Sequence, residues 1–503
     1  MRRLLNIPLI VILMGVGALA MFVPVLHALV LRDWLSARSF FYSGTIFLFL
    51  TFLLSISTYD SRRPRNLTRN HLLALMLCFA LLPAMLAVPF LEAAGGDVTF
   101  LDAYFEMVSS LTTTGATLFD DPATLAPSVH LWRALVGWLG GFFLWVAAIA
   151  ILAPMNLGGF EVTAIGGIRQ SEAALYSVDP RGLLLRYSRQ FAPVYVGLTL
   201  ALWLILVLLQ ADPFVAFCHA MSTLSTSGIS PVGGIEGTLS GIPGEIFVLL
   251  FMGFALSRRT FTREIGEGGI QPLWRDPEFR LGLLFVVVVP ALLFLRHWLG
   301  AYEGATEGDM IAALRALWAS VFTVLSFLTT TGFIAEDWTA ARAWSGVSTS
   351  GLVLMGLALA GGGVATTAGG VKLLRVYALY KHGMREIERL VNPSSVGGAG
   401  VVARQIRRQG AFVASVFFML YTVSMAIVMT GLALTGLSFE PAMVLTASAL
   451  STTGPLAGVA GEVPIAFSAI GAAGKTILIG AMILGRLEML VIIALVNPAF
   501  WRQ

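Results

Sequence analysis

Charged side chains are scarce in this sequence: 12% of its 503 residues are Asp, Glu, Lys or Arg, against roughly 25% in soluble domains. That leaves too little polar surface to hold so long a chain in water. Cysteine is scarcer still. Cys78 and Cys218 are the only two, each inside an apolar segment, which excludes a disulfide framework and a thiolate zinc site. The six histidines are scattered, so they spell out no metal-ligand cluster. No P-loop or phosphorylation-type motif stands out, which argues against a built-in ATPase. The net charge is only +4 and falls in loop clusters, so it points to membrane topology and not to nucleic acid.

What fills the chain instead is apolar: 57% of residues are hydrophobic and the mean hydropathy is +0.84. Ten stretches approach or exceed the roughly 20 residues that cross a bilayer as a helix. They lie at 4–31, 40–59, 71–91, 130–153, 191–211, 244–257, 280–299, 346–380, 410–436 and 466–497, the sixth being short unless its flanks extend it. The run after Arg2 and Arg3 extends well past the roughly 7–15 apolar residues of a signal peptide, so it reads as a retained first span. Basic clusters recur at Arg2-Arg3, Arg62-Arg63-Pro64-Arg65, 181–189, Arg258-Arg259, 275–280, 372–389 and 404–408, while the alternate loops hold few lysines or arginines. The positive-inside rule therefore places this side, and both termini, in the cytoplasm.

One short pattern occurs four times. Leu111-Thr112-Thr113-Thr114-Gly115 returns as Leu224-Ser225-Thr226-Ser227-Gly228, as Leu328-Thr329-Thr330-Thr331-Gly332 and as Leu450-Ser451-Thr452-Thr453-Gly454. Each copy follows an apolar segment of a dozen or so residues and lies between two full spans, so the repeated unit is span, half-length segment, motif, span. Ser, Thr and Gly also pack transmembrane helices closely, but four aligned copies ask for more than packing. A half-length segment that enters and leaves on one face is re-entrant, and irregular backbone at that depth must be buried in protein or line a watery cavity. A dehydrated alkali cation needs a shell of carbonyl and hydroxyl oxygens. Glycine lets neighbouring carbonyls turn toward an axis, and the negative end of a preceding half-helix favours a cation there. The fold expected is an all-α polytopic membrane protein with four pseudo-fourfold repeats around one pore, preceded by two extra N-terminal helices. Its divisions are an N-terminal pair at 1–70 and pore repeats at 71–190, 191–279, 280–409 and 410–503. Asp120, Asp121, Glu236, Glu336, Asp337 and Glu462 follow the four glycines on the non-basic face, a placement that would concentrate cations at an entrance.

With these motifs, the chain resembles the bacterial Trk/Ktr potassium-transport superfamily over nearly its whole length, closest to the Trk-type membrane subunit. Gly361-Gly362-Gly363-Val364-Ala365-Thr366-Thr367-Ala368-Gly369-Gly370-Val371-Lys372 looks like that family's intramembrane gating loop, and Gly485-Arg486-Leu487-Glu488 like its last-span arginine motif. The glycines alone predict a broken helix, since each costs about 1 kcal/mol relative to Ala. Arg486 lies in an apolar run where a charge faces a cavity or a partner, and Glu488 does not share its helix face. The resemblance implies that the loop obstructs the pore below the filter and that Arg486 is an electrostatic barrier there. It also implies potassium as the transported ion, a homodimer, and a cytosolic nucleotide-binding regulatory subunit through which NAD or ATP/ADP would act, with no covalent cofactor. The basic stretches 169–190, 258–280 and 381–409 are candidate docking surfaces. Ser227 and Ile229 around the second glycine and Pro455 after the fourth depart from the commonest pattern, but all four glycines are kept. The alternatives are a proton- or sodium-coupled symporter, the related subunit of a P-type pump, and a membrane enzyme on lipid-linked substrates. For that enzyme, Asp102, Glu106, Asp212 and His219 are the candidate groups, and they do not recur at equivalent repeat positions; Asp102 and Asp212 also suit helix caps.

Overall fold

Inside a bilayer every backbone N–H and C=O must be paired within the chain, and a helix does this segment by segment. The computed structural model follows that rule: among the described residues, helices and turns are the only regular structure. Those residues are 7–58, 67–96, 98–154, 157, 159, 180–235, 241–257, 273–303, 310–340, 350–392 and 410–487. Helices α1 (Leu9–Ala20) and α2 (Phe22–Leu31) join into one span, followed by α3 (Trp34–Thr58). Then come α4 (Leu67–Ala94), α5 (Phe100–Leu111) and α6 (Pro127–Ala147), and next α7 (Pro180–Leu208), α8 (Pro213–Ser225) and α9 (Gly241–Met252). The second half holds α10 (Pro277–Glu303), α11 (Met310–Leu328), α12 (Ser350–Ala360) and α13 (Leu373–Val391), then α14 (Ala411–Leu434), α15 (Phe439–Ser451) and α16 (Ala472–Leu487).

Eight helices among the described residues are long and apolar enough to cross a membrane. The expected ten differ in identifiable places. The stretch 244–257 is a short helix, α9, that tightens into a 3₁₀ turn at Gly253–Leu256. The stretch 346–380 breaks after Ala360, as its glycines predict, and resumes as α13, whose Leu373, Leu374 and Ala378 are buried while Lys381 and Arg389 face out. The third half-length segment is longer than the others, because α11 runs 19 residues and is itself counted among the eight. Of 466–497, the described part is a 3₁₀ turn at Phe467–Ala469 and α16.

Packing follows one rule four times. Helix α5 lies against α4 and α6, α8 against α7 and α9, α11 against α10 and α12, and α15 against α14 and α16. Each half-length helix also touches the second span of a neighbouring unit: α6 meets α8, α9 meets α11, α12 meets α15, and α16 meets α5. The contacts therefore close on themselves. Helices α1 to α3 sit outside this cycle, against α4 and α6. Aromatic side chains fix the first junction, with Trp132 Nε1 donating to Leu86 O at 3.2 Å and Trp145 stacked on Phe191 at 4.7 Å.

Candidate functional site

The four motifs end their helices in the same way. In each, the hydroxyl residue before the glycine donates its N–H to the carbonyl of a serine five residues back: Thr114 to Ser109 at 2.8 Å, Ser227 to Ser222 at 3.0 Å, Thr331 to Ser326 at 2.9 Å and Thr453 to Ser448 at 2.9 Å. This six-to-one bond is a Schellman end, which needs a left-handed residue at its bend. Glycine usually takes that place, but here it is threonine: φ is 54° at Thr113, 52° at Thr226, 58° at Thr330 and 55° at Thr452. A β-branched residue in that region carries strain, on the order of 1–3 kcal/mol. Flanking hydroxyls brace each bend by bonding to one another, Thr112 with Thr114 at 2.8 Å, Ser225 with Ser227 at 3.1 Å, Thr329 with Thr331 at 3.1 Å and Ser451 with Thr453 at 3.2 Å. The serine six residues before every glycine was legible in the sequence as a longer repeat, Ser-x-Leu-[Ser/Thr]-Thr-[Ser/Thr]-Gly, and was overlooked.

The motifs meet in cyclic order. A Cβ on Gly115 would run into Ser227 O, one on Gly228 into Thr331 O and Pro455, and one on Gly332 into Pro455 at 2.9–3.0 Å. Gly454 completes the cycle by donating its N–H to Thr114 O at 2.5 Å. Gly115, Gly228 and Gly332 have φ of 72°, 65° and 81°, a second reason that only glycine fits. Gly454 instead starts a 3₁₀ turn through Gly458. Thr113 and Thr452 are fully buried and their Oγ1 atoms have no hydrogen-bond partner. Thr226 Oγ1 donates to Ser225 O at 2.8 Å.

Behind the bends, the chain leaving each of the first three glycines is tied to a polar residue nine positions ahead of that glycine. Glu106 Oε1 accepts from Leu118 N at 2.6 Å and Thr117 Oγ1 at 2.9 Å, and its other oxygen pairs with Arg133 at 2.9 Å, both side chains being buried. His219 bonds Ser230 Oγ at 2.8 Å, and Thr323 Oγ1 accepts from Ala335 N at 3.4 Å. Glu106 and His219 therefore do occupy equivalent positions, contrary to expectation; the fourth unit has Leu445 there. Asp102 and Asp212 are caps, as their positions suggested: Asp102 forms a capping box with Thr99, and Asp212 accepts from Phe214 N and Val215 N at 3.0 Å. Asp102 also pairs with Lys475 at 2.6 Å. Partial burial pushes its carboxyl up, but the bonds from Lys475 and Thr99 outweigh that and hold it below the ordinary value.

Of the outer acids, Asp120 accepts from Ser468 Oγ at 2.6 Å and Asp121 caps a short turn through Ala123 N at 2.9 Å. Glu336 and Glu462 donate their backbone N–H to Glu245 and Glu440, each at 2.7 Å. Glu236 and Glu488, the arginines at 2–3, 62–65, 258–259 and 404–408, and most of the three basic docking stretches lie outside the described residues.

The glycine-rich loop lies against the motifs. Gly369 N donates to Thr330 Oγ1 at 2.7 Å, Thr367 Oγ1 donates to Leu224 O at 3.3 Å, and a Cβ on Gly369 would strike Ser451 and Thr452. Gly361 and Gly370 have φ of 72° and 73° and pack so closely that neither admits a Cβ. Gly362 O accepts from Leu373 N at 3.0 Å and Gly363 N donates to Ala255 O at 2.9 Å. Thr366 Oγ1 bonds Gly363 O at 2.7 Å, and buried Glu278 accepts Val364 N at 3.0 Å. From α16, Arg486 donates to Thr367 O at 2.8 Å; Lys372 Nζ donates to Ala368 O. Arg486 and Lys372 are both buried and line one small cavity, about 20 Å³, with Thr366, Gly369, Gly370 and Leu144. Arg375, fully buried with its guanidinium 3.7 Å from the Phe417 ring centre, is a third cation at this level that sequence reasoning missed. An arginine between Leu374 and Val376 was its only signal.

The whole chain is similar to known membrane transport proteins. A family model described as TrkH, cation transport protein, matches residues 247–502. The Trk system potassium uptake protein TrkH of Vibrio parahaemolyticus is 28% identical over 510 residues, covering 98% of each chain. The Escherichia coli protein of the same name is 28% identical over 488 residues, covering 96% of each. The crystal structure of the potassium transporter TrkH from Vibrio parahaemolyticus superposes with a TM-score of 0.81 at 27% identity, covering 100% of both chains.

Proposed function

The chain belongs to the TrkH family of cation transport proteins, and from that premise we propose that it carries potassium across the membrane through a gated, channel-like pore. The single observation that supports this most is the closed cycle of four strained, braced helix ends, with two buried threonine hydroxyls that lack any partner. Buried polar atoms are normally paired, and a dehydrated cation is the partner these oxygens suit. The filter reading takes carbonyls and hydroxyls of Thr113, Thr114 and Gly115, Thr226, Ser227 and Gly228, Thr330, Thr331 and Gly332, and Thr452, Thr453 and Gly454 as the replacement for the ion's water shell. The glycines permit close approach of neighbouring motifs, and the helices ending at them add negative partial charge.

Below the filter, the 361–370 loop and the cations Lys372 and Arg486 form the barrier. A cation leaving the filter meets the loop backbone against Thr330 and Thr452 and the positive charge of Arg486. Opening requires the bonds from Gly369 to Thr330 and from Arg486 to Thr367 to break. Arg486→Ala and shortening of the loop are each expected to raise flux; unchanged flux in both would remove the gate from this reading. The remaining parts of the proposal are the division into four pore repeats with re-entrant half-helices, an inner-membrane location with both termini cytoplasmic, a homodimer, and control by a cytosolic nucleotide-binding subunit. These rest on the family and on the basic loops.

Purified protein in vesicles with potassium or sodium as the only permeant cation is the test. Potassium flux exceeding sodium flux is expected, driven by an imposed voltage and indifferent to a pH gradient. Absence of both fluxes would overturn the proposal, and dependence on the pH gradient would convert the channel into a symporter.

A further inference from the structure

Away from the four motifs, a cavity of about 320 Å³ lies between α1, α4, α6 and α7. Small-molecule sites start at about this size. Its wall is apolar apart from Ser188: Leu13 and Gly17 from α1, Leu86 from α4 and Val136 from α6 are among its lining. Along α1 it runs from Leu9 to Gly17, about 12 Å at 1.5 Å per residue, parallel to the spans. A polar solute finds only Ser188 to bond there, whereas a hydrocarbon chain leaves the bilayer interior for an equally apolar wall at no desolvation cost.

One end of the cavity is basic. Leu184, Leu185 and Ser188 of α7 line it, and Leu185 also lines an adjoining open depression with Gly182, Arg186, Arg189 and Gln190. Arg186 and Arg189 are exposed and lie on either side of Ser188 in sequence. The lining also includes Leu111, the last residue of α5 and the first of the first motif.

We propose that this is a binding site for an anionic phospholipid, with one acyl chain in the cavity and the phosphate on Arg186 and Arg189. A zwitterionic lipid would fill the apolar part equally well, so the two arginines supply the preference for an anionic headgroup. An acyl chain in place backs Leu111, and through it the bend at Thr113, with packing that an empty cavity lacks. Lipid composition then tunes cation flux. The flux arm rests on the transport reading; the binding arm does not.

The test uses full-length protein reconstituted with equal parts phosphatidylglycerol and phosphatidylethanolamine, with retained lipid counted by native mass spectrometry. Wild type is expected to keep phosphatidylglycerol in excess, Arg186→Gln/Arg189→Gln to lose that excess by about tenfold, and Leu13→Trp, which fills the cavity, to lose the lipid with both arginines intact. Leu185→Trp serves if Leu13→Trp lowers the melting temperature. Equal retention of both lipids by wild type would overturn the site, as would an excess that survives both kinds of variant. Potassium flux is expected to rise with phosphatidylglycerol in wild type and not in the arginine variant. Parallel responses would cut the link to the filter, while flux absent in every vesicle would sink the transport reading and leave the lipid counts standing.

Discussion

Up to the left-handed threonine, the first and fourth motifs are built alike. Thr114 bonds back to Ser109 as Thr453 does to Ser448, and Thr113 and Thr452 share a φ within a degree of each other, at 54° and 55°. Beyond that point they part. The first passes through Gly115 at φ 72° and is anchored by Glu106, itself held by Arg133. The fourth turns through Gly454 and Pro455 into a 3₁₀ helix, with Leu445 where the anchor would be. The bend that presents oxygens is held constant by local backbone bonds. The departing chain is held by whatever its own unit supplies, so it is free to vary.

That contrast can be broken most severely at its anchor. Glu106→Leu gives the first motif the fourth's residue but strands the Arg133 charge in a buried site, at a cost of about 3–5 kcal/mol. Denaturation of the purified protein should show this loss, and Glu106→Leu/Arg133→Leu should recover most of it while potassium selectivity stays impaired. Recovery of selectivity as well would mean that the anchor is dispensable.

Gly115→Ala is the next largest change. It adds a left-handed alanine, about 1–2 kcal/mol, to an overlap with Ser227 O. Potassium uptake should fall at least tenfold, and further than in Gly454→Ala, which suffers overlap with Ala116 but no φ penalty. Equal losses would show that backbone angle is immaterial at the first glycine.

Thr113→Val and Thr452→Val sharpen the comparison at the oxygens. Each removes one unpartnered hydroxyl of similar shape, so both should lower the potassium-to-sodium flux ratio, by several-fold and to a like extent. A silent Thr452→Val would take the fourth motif out of the ion's coordination shell.

The smallest effect is expected at the rim. Asp102→Asn weakens the cap of α5 and the pair with Lys475, together about 1 kcal/mol. The Asp102 carboxyl is held below its ordinary value, so its contribution is present at neutral pH and fades as pH falls through that lowered value. Melting curves of wild type and variant should therefore differ at pH 7 and converge in acid; a gap that widens in acid would reverse the assignment.

Hydropathy made the membrane class and most spans legible, and the glycine run the break before Gly361, because each depends on runs of residues. The four motifs were legible because they repeat by identity. The supports behind them were not: Glu106, His219 and Thr323 share a position but only one property, the capacity to hydrogen-bond, which matching by charge does not detect. Nor does composition show that α11 outlasts the other half-length helices, since Met310–Leu328 is apolar throughout apart from Arg315 and a few small polar residues. Arg375 was hidden by neighbouring surface cations on the same helix.

The last link in the cycle joins Thr114 to Gly454, and α5 to α16. Domains form from the N-terminus as a chain is made, yet here the cycle of four motifs stays open until residue 454 has been made. A partly synthesised chain thus holds three of the four motifs and an open cycle. On the filter reading proposed above, conduction waits on the last two helices, α15 and α16, so the path and the Arg486 barrier arrive together.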